Sequence, residues 1–258
     1  MKLWAIAYNT FREAIRDRVL YNLLAFAVLM IGLAVALGRL SIAERARITV
    51  DVGLFSISIF GVLMAIFLGI GLVSKEIEKK TIYTLIAKPV PRCLFILGRF
   101  CGLMITIGVN MVIMTAAFVV VLWYNREAPG WPLTWPIGQA IIMTYVELGI
   151  ITAAAMVFST FSTPTLSAIF TLCFVVIGRL TAGLKLLISR EQSPAAWWAA
   201  DILYYLVPNL TNYVRIEAAV YGEGLAPDLF LRIILIGALT AAFLLAIAIA
   251  IFQRRNFV

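Results

Sequence analysis

Six apolar runs constrain this chain more than any motif in it: Val19–Gly38, Val52–Val73, Leu94–Trp123, Ile137–Phe158, Pro164–Ile188 and Leu229–Phe252. A hydrocarbon layer about 30 Å thick is crossed by roughly 20 residues of α-helix at about 1.5 Å each. Within lipid every backbone amide must find its partner inside the protein, which leaves helices or closed barrels. The runs are continuous rather than alternating, so helices are the reading. Of the 258 residues, 63% are hydrophobic, and no stretch between the runs is long enough for a soluble domain. The sequence predicts a single all-α integral membrane domain over residues 1–258 with six transmembrane helices.

The net charge of +8 is better explained by orientation than by nucleic acid. Basic residues gather at Lys2, Arg12, Arg16 and Arg18, then within residues 74–92, then at Arg254 and Arg255, which makes eleven on one side if six helices alternate. By the positive-inside tendency, both termini and the 74–92 loop face the cytoplasm. No basic–aromatic platform interleaves outside the membrane interface, so a nucleic-acid partner is not expected. Cys93, Cys101 and Cys173 all lie in or beside the apolar runs, which implies no disulfide framework. Histidine is absent, which removes the commonest metal ligand and general base.

Residues 1–18 carry Leu3, Trp4, Ala7, Phe11, Ala14 and Ile15 at helical spacing, with Asn9, Arg12, Glu13, Arg16 and Asp17 opposite. That pattern suits a helix lying in the membrane surface. The charged island Ser74–Arg92 holds Lys75, Lys79, Lys80, Lys88 and Arg92 against Glu76 and Glu78. Ile77, Ile82, Leu85 and Ile86 give it an apolar face, and Pro89 and Pro91 forbid its continuation as a helix. It is too polar to span and patterned enough to dock on a cytoplasmic partner.

The fourth and fifth runs are joined by Ser159–Thr163, after which Thr163 is a natural N-cap and Pro164 a natural first helical residue. Glu147 lies sixteen residues before Thr163 and Arg179 sixteen after it. In a tight hairpin both stand about 24 Å from the turn, at similar depth in the outer half of the bilayer. A lone charge there costs about 2.5–3.5 kcal/mol, and an ion pair between them offsets part of this. Arg99 and Lys185 lie nearer the ends of their runs, where long side chains can snorkel.

Residues 192–228 form the longest non-spanning segment. Trp197, Trp198, Tyr204, Tyr205, Tyr213 and Tyr221 suit the interfacial aromatic belt. One short helix is expected after Ser193–Pro194, a break at Pro208–Asn209, and a second helix over Asn209–Tyr221 ended by Gly222 and Gly224. Two half-helices that dip in and return would place Pro208 and Asn209 at an outer gate. No phosphate-binding G-x-x-x-x-G-K-[ST] loop, H-E-x-x-H or G-x-S-x-G occurs, so neither ATP hydrolysis by a phosphate-binding loop nor zinc or serine hydrolysis is expected of this chain.

These features together resemble the permease subunit of type-2 ATP-binding-cassette (ABC) exporters. The most specific of them is the pattern E-x-E/K-x-x-T-x-x-x-L-x-x-x-P-x-x-R after the second run, carried by Glu76, Glu78, Thr81, Leu85, Pro89 and Arg92. Within that family the runs Leu203–Leu210 and Phe161–Ala168 are similar to the copper-enzyme-maturation permeases. The resemblance implies a multi-pass protein of the bacterial inner membrane, working as a permease dimer on two separate ATPase subunits. These partners would bind ATP and magnesium, and this chain would hold no cofactor. Residues 74–92 would be the coupling helix, docking through Glu76, Glu78, Thr81, Ile82, Leu85, Pro89 and Arg92, and periplasmic accessory proteins could join the assembly. Two other readings remain open at this level: an ATPase-driven mechanotransmitter acting on a periplasmic or motility assembly, and an ion-coupled secondary transporter using Glu147.

Overall fold

The computed structural model describes residues 2–40, 45–78, 91–124, 135–188 and 208–254, and among them there is no strand. Eight α-helices and one 3-10 helix make up these segments: α1 (Lys2–Ile15), α2 (Arg18–Leu40), α3 (Arg45–Glu78), α4 (Arg92–Tyr124), α5 (Trp135–Phe161), α6 (Pro164–Ile188), the 3-10 helix Leu210–Asn212, α7 (Ile216–Val220) and α8 (Pro227–Arg254). The stretches Arg18–Gly38, Arg47–Gly71, Cys93–Tyr124, Trp135–Phe161 and Pro227–Gln253 are long and apolar enough to cross a membrane. The sixth expected span is α6, a 25-residue helix whose described apolar part is Pro164–Leu180. Its backbone is about 37 Å long, enough to cross.

Burial separates inner helices from outer ones. In the spanning windows of α3 and α5, 72% of residues are buried, against 22% in α2 and 17% in α8. The long helices α3 and α5 therefore form the centre of the bundle. Helix α5 packs most extensively against α8 and α3, and α2 lies along α3. On α8 the exposed row Leu231, Leu235, Leu239 and Phe243 recurs every four residues. In water such a row would be a liability; in a bilayer it is the face turned to lipid.

Helix α1 docks along α4. Small residues allow the approach: Ala7, Thr10 and Ala14 are buried, and Gly98 and Gly102 of α4 lie where a β-carbon would collide with Ile6 and Thr10. Trp4 and Tyr8 stay exposed, at 66% and 58%. The apolar side of this helix is thus divided, one strip packed on protein and an aromatic strip free for the membrane surface. The helix ends where the Arg16 and Asp17 amides donate back to Glu13 and Ala14 at 3.1 Å. The Asp17 carboxylate then accepts the Val19 amide at 3.0 Å and starts α2. Arg99 departs from the snorkelling expectation. It is 3% exposed, with its guanidinium 4.7 Å from the Phe95 ring centroid, because α4 turns it into the protein rather than towards lipid.

The α5–α6 connection is shorter than the Ser159–Thr163 stretch. Helix α5 continues to Phe161, leaving only Ser162 and Thr163 between the helices. The Ser159 and Thr160 hydroxyls donate to the Met156 and Val157 carbonyls at 3.0 and 2.6 Å, which lets the helix absorb two polar residues that read as a turn. The Thr163 carbonyl accepts the Ser167 amide at 2.8 Å and opens α6 at Pro164. Phe158 packs on Phe161, Phe170 and Phe174, with centroids 6.1, 5.8 and 6.3 Å away, and so holds the hairpin shut.

Candidate functional site

The hairpin sets Glu147 and Arg179 opposite one another, and their side chains meet. Arg179 Nε donates to Glu147 Oε1 at 2.8 Å and Nη2 to Oε2 at 3.1 Å, a two-pronged contact. The same Nη2 donates to Ser58 Oγ of α3 at 2.7 Å. Glu147 is fully buried and Ser58 nearly so, whereas Arg179 is 23% exposed. Three helices are therefore tied at one guanidinium. Ser58 was not legible as a partner, since Ser56 and Ser58 stand in the same apolar run and differ only in direction. The Ser56 hydroxyl donates to Val52 within its own helix at 2.7 Å.

The segment 192–228, expected on the outer side and called the outer segment below, is described from Pro208 on and reaches the same place. The Thr211 hydroxyl donates to the backbone carbonyl of Arg179 at 3.0 Å. Fully buried Leu210 lies over Gly178, where a β-carbon would stand 2.8 Å from it and 3.2 Å from the Pro208 carbonyl. Arg179 is nine residues, about 14 Å, inside the Ile188 end of α6. Tyr213, 4% exposed, lies over Gly237, which is ten residues, about 15 Å, inside the start of α8. The segment then returns to the rim. The Gln139 side chain, near the start of α5, donates to the Leu225 carbonyl at 3.0 Å and accepts the Leu225 amide at 2.9 Å. The Arg47 guanidinium stands 5.2 Å from the Tyr221 ring centroid. Residues 208–226 thus reach into the bundle at Leu210 and Tyr213, which are buried, and return to its rim at Leu225.

Their local form differs from the single helix expected over Asn209–Tyr221. The Asn209 side chain accepts the Thr211 amide at 3.0 Å and caps a three-residue 3-10 turn. Residues 213–215 break the chain before the five-residue α7. Anchoring Leu210 and Thr211 on α6 and Tyr213 on α8 overrides local helix preference. Helix α7 ends at Gly222, with φ +75°, where the Gly222 amide meets the Ala219 carbonyl and the Glu223 amide the Ala218 carbonyl, at 3.2 and 2.7 Å.

Of the remaining site residues, Glu76 and Glu78 belong to the last turns of α3 and Arg92 opens α4. Thr81, Ile82, Leu85 and Pro89 lie outside the described residues, as does the first half of the outer segment up to Val207. Of the candidate gate residues, Pro208 has its carbonyl over Gly178, and Asn209 caps the turn that places Thr211 on the Arg179 carbonyl.

Chemically the cluster is an anchor. Both Glu147 oxygens are engaged by a guanidinium, which leaves the carboxylate poorly placed to abstract a proton or ligate an ion. The Gln139–Leu225 pair gives one expected result. Replacing 3%-exposed Gln139 with Leu removes both bonds and should weaken the rim by about 1–3 kcal/mol. Amide exchange at Leu225 should then rise, and unchanged exchange would show that the side chain does not hold the segment.

Among curated proteins none matches this chain significantly. The family model described as ABC-2 family transporter protein matches residues 4–257, nearly the whole length. With its all-helical fold and membrane-spanning helices, this multi-pass membrane chain belongs to the ABC-2 transporter family, as a permease-type transmembrane subunit of the kind that works with an ABC ATPase.

Proposed function

We propose that this chain couples ATP hydrolysis on two separate ATPase subunits to export of a substrate, working as a permease homodimer in a bacterial inner membrane with both termini cytoplasmic. ATP and magnesium would sit on the partner. The apolar interior favours lipid-like, hydrophobic or peptide cargo over a bare ion. Accessory periplasmic proteins are compatible with this assembly and are not required by it.

The observation that carries the reading is the length of α3. Its 34 residues extend about 51 Å, and its apolar part ends at Gly71. The last seven residues, to Glu78, reach about 10 Å farther. Ser58 is twenty residues from Glu78 on the same unbroken helix, a span of about 30 Å. A rigid rod thus runs from the edge of the docking segment to the buried ion pair. Force applied near Glu76 and Glu78 would reach Arg179 without crossing a loop.

Reversing the charge at Glu78 tests this. In the Glu78→Lys variant, association with the ATPase is expected to weaken on the order of 30-fold or more, as for one member of a close interfacial charge pair. Copurification of the ATPase and its activity in the reconstituted complex are the measurements. Normal copurification and unaltered hydrolysis in both Glu78→Lys and Leu85→Asp would remove the docking role.

A further inference from the structure

We infer that Arg179 is the latch through which α3 controls the outer segment: its guanidinium is held by α3 and α5, its backbone carbonyl holds Thr211, and movement of α3 releases residues 208–213. The inference rests on the coupling role proposed for α3 and deepens it by naming the residues that carry the movement outward.

Two opposite sides of one residue are occupied. The side chain of Arg179 meets Glu147 and Ser58, and its carbonyl accepts the Thr211 hydroxyl. The adjacent Gly178 seats fully buried Leu210 and the Pro208 carbonyl. One turn of α6 is therefore gripped from the bundle centre and from the outer segment at once. Among the described residues α6 packs less against the other long helices than α2 or α8 does. Its first turns are held to α5 through Phe170 and Phe174, and its turn at Arg179 through these polar contacts.

That makes the position sensitive to α3. The Ser58–Arg179 bond is 2.7 Å long, and a hydrogen bond weakens steeply when its partners separate or turn by a small amount. A shift or rotation of α3 by one residue's rise, about 1.5 Å, breaks it or drags Arg179 along. If Arg179 is dragged, its carbonyl and the Gly178 seat move beneath Thr211 and Leu210; if the bond breaks, the guanidinium keeps only Glu147 and the turn that seats Thr211 loses its hold on α3. Pro208–Tyr213 contains only a 3-10 turn and has little structure of its own to keep it in place. Ser58 and Thr211 are thus positioning residues acting through Arg179, at sites separated in sequence by more than 150 residues.

The test uses the full chain in its ATPase complex, reconstituted in vesicles, with Cys93, Cys101 and Cys173 changed to alanine and half-buried Val214, next to Tyr213, changed to cysteine as a reporter. A membrane-impermeant maleimide reads its accessibility. Thr211→Val keeps the shape of the side chain without the hydroxyl, and labelling is expected to accelerate about five-fold, the effect of one lost hydrogen bond on an open–closed balance. Ser58→Ala, a change on α3 whose bond is to the Arg179 side chain, is expected to accelerate it by a similar factor, about three- to five-fold. Thr211→Ser should restore the parental rate, which separates loss of the bond from misfolding. Acceleration by Thr211→Val alone would reduce Thr211 to a local anchor and overturn the latch, as would no acceleration in either variant. Labelling of the parent with and without ATP and vanadate tests the coupling role separately. Variant acceleration without a nucleotide effect leaves the latch standing and sinks the coupling role; a nucleotide effect without variant acceleration does the reverse.

Discussion

Replacing Arg179 with glutamine is expected to destabilise the protein in detergent by about 3–5 kcal/mol, the cost of stripping a buried charge of its partner. Glu147 is completely buried, and its oxygens are held by Arg179 Nε and Nη2. The reverse change should be milder. In Glu147→Gln, Arg179 keeps Ser58 and is 23% exposed, so its charge stays partly solvated, and about 1–3 kcal/mol is expected. The double variant should lose less than the sum of the singles, with a coupling of about 1 kcal/mol or more, because neither buried charge remains. Unfolding midpoints for the four proteins complete the cycle. Equal single effects would contradict the asymmetry in burial, and strict additivity would show that the pair contributes no interaction.

A leucine at Gly102 should cost about 3 kcal/mol, at the upper end for overpacking, because the obstruction includes backbone. Its β-carbon would stand 2.5 Å from the Ala7 carbonyl oxygen and 2.7 Å from Thr10 Cβ, neither of which can swing aside. The expected outcome is separation of α1 from α4, uncovering Ala7, Thr10 and Ala14. Trypsin should then cut faster at Arg12 and Arg16, both already exposed but held on a docked helix. Gly32→Leu is the matched control, since a β-carbon at that helical position meets nothing within 4 Å. Similar proteolysis of the two variants would mean that α1 does not depend on the close approach at Gly102.

Element number and type were legible in this chain because bilayer thickness converts apolar length directly into helices, and polar breaks mark their ends. The depth match of Glu147 and Arg179 was legible for a related reason: a short hairpin makes residue count a ruler. The facing of each helix was not. In water a core-facing stripe is apolar and the rest polar, but here the lipid-facing Leu231 and Leu235 and the core-facing Leu148 and Ile150 are chemically alike. Only packing decides between them. The same ambiguity hid Ser58, whose neighbour Ser56 satisfies itself locally, and Gln139, whose partner Leu225 is 86 residues away. The outer segment shows the limit most plainly. Its turn residues and aromatic content were readable, but tertiary anchors on α6 and α8 shaped it into a 3-10 turn and a five-residue helix. By itself the sequence determined an all-helical membrane protein with helices long enough to span, and a carboxylate and a guanidinium at matched depth. Which side chains grip that pair, and how the outer segment hangs from it, were decided by contacts between residues far apart in the chain, where no local preference operates.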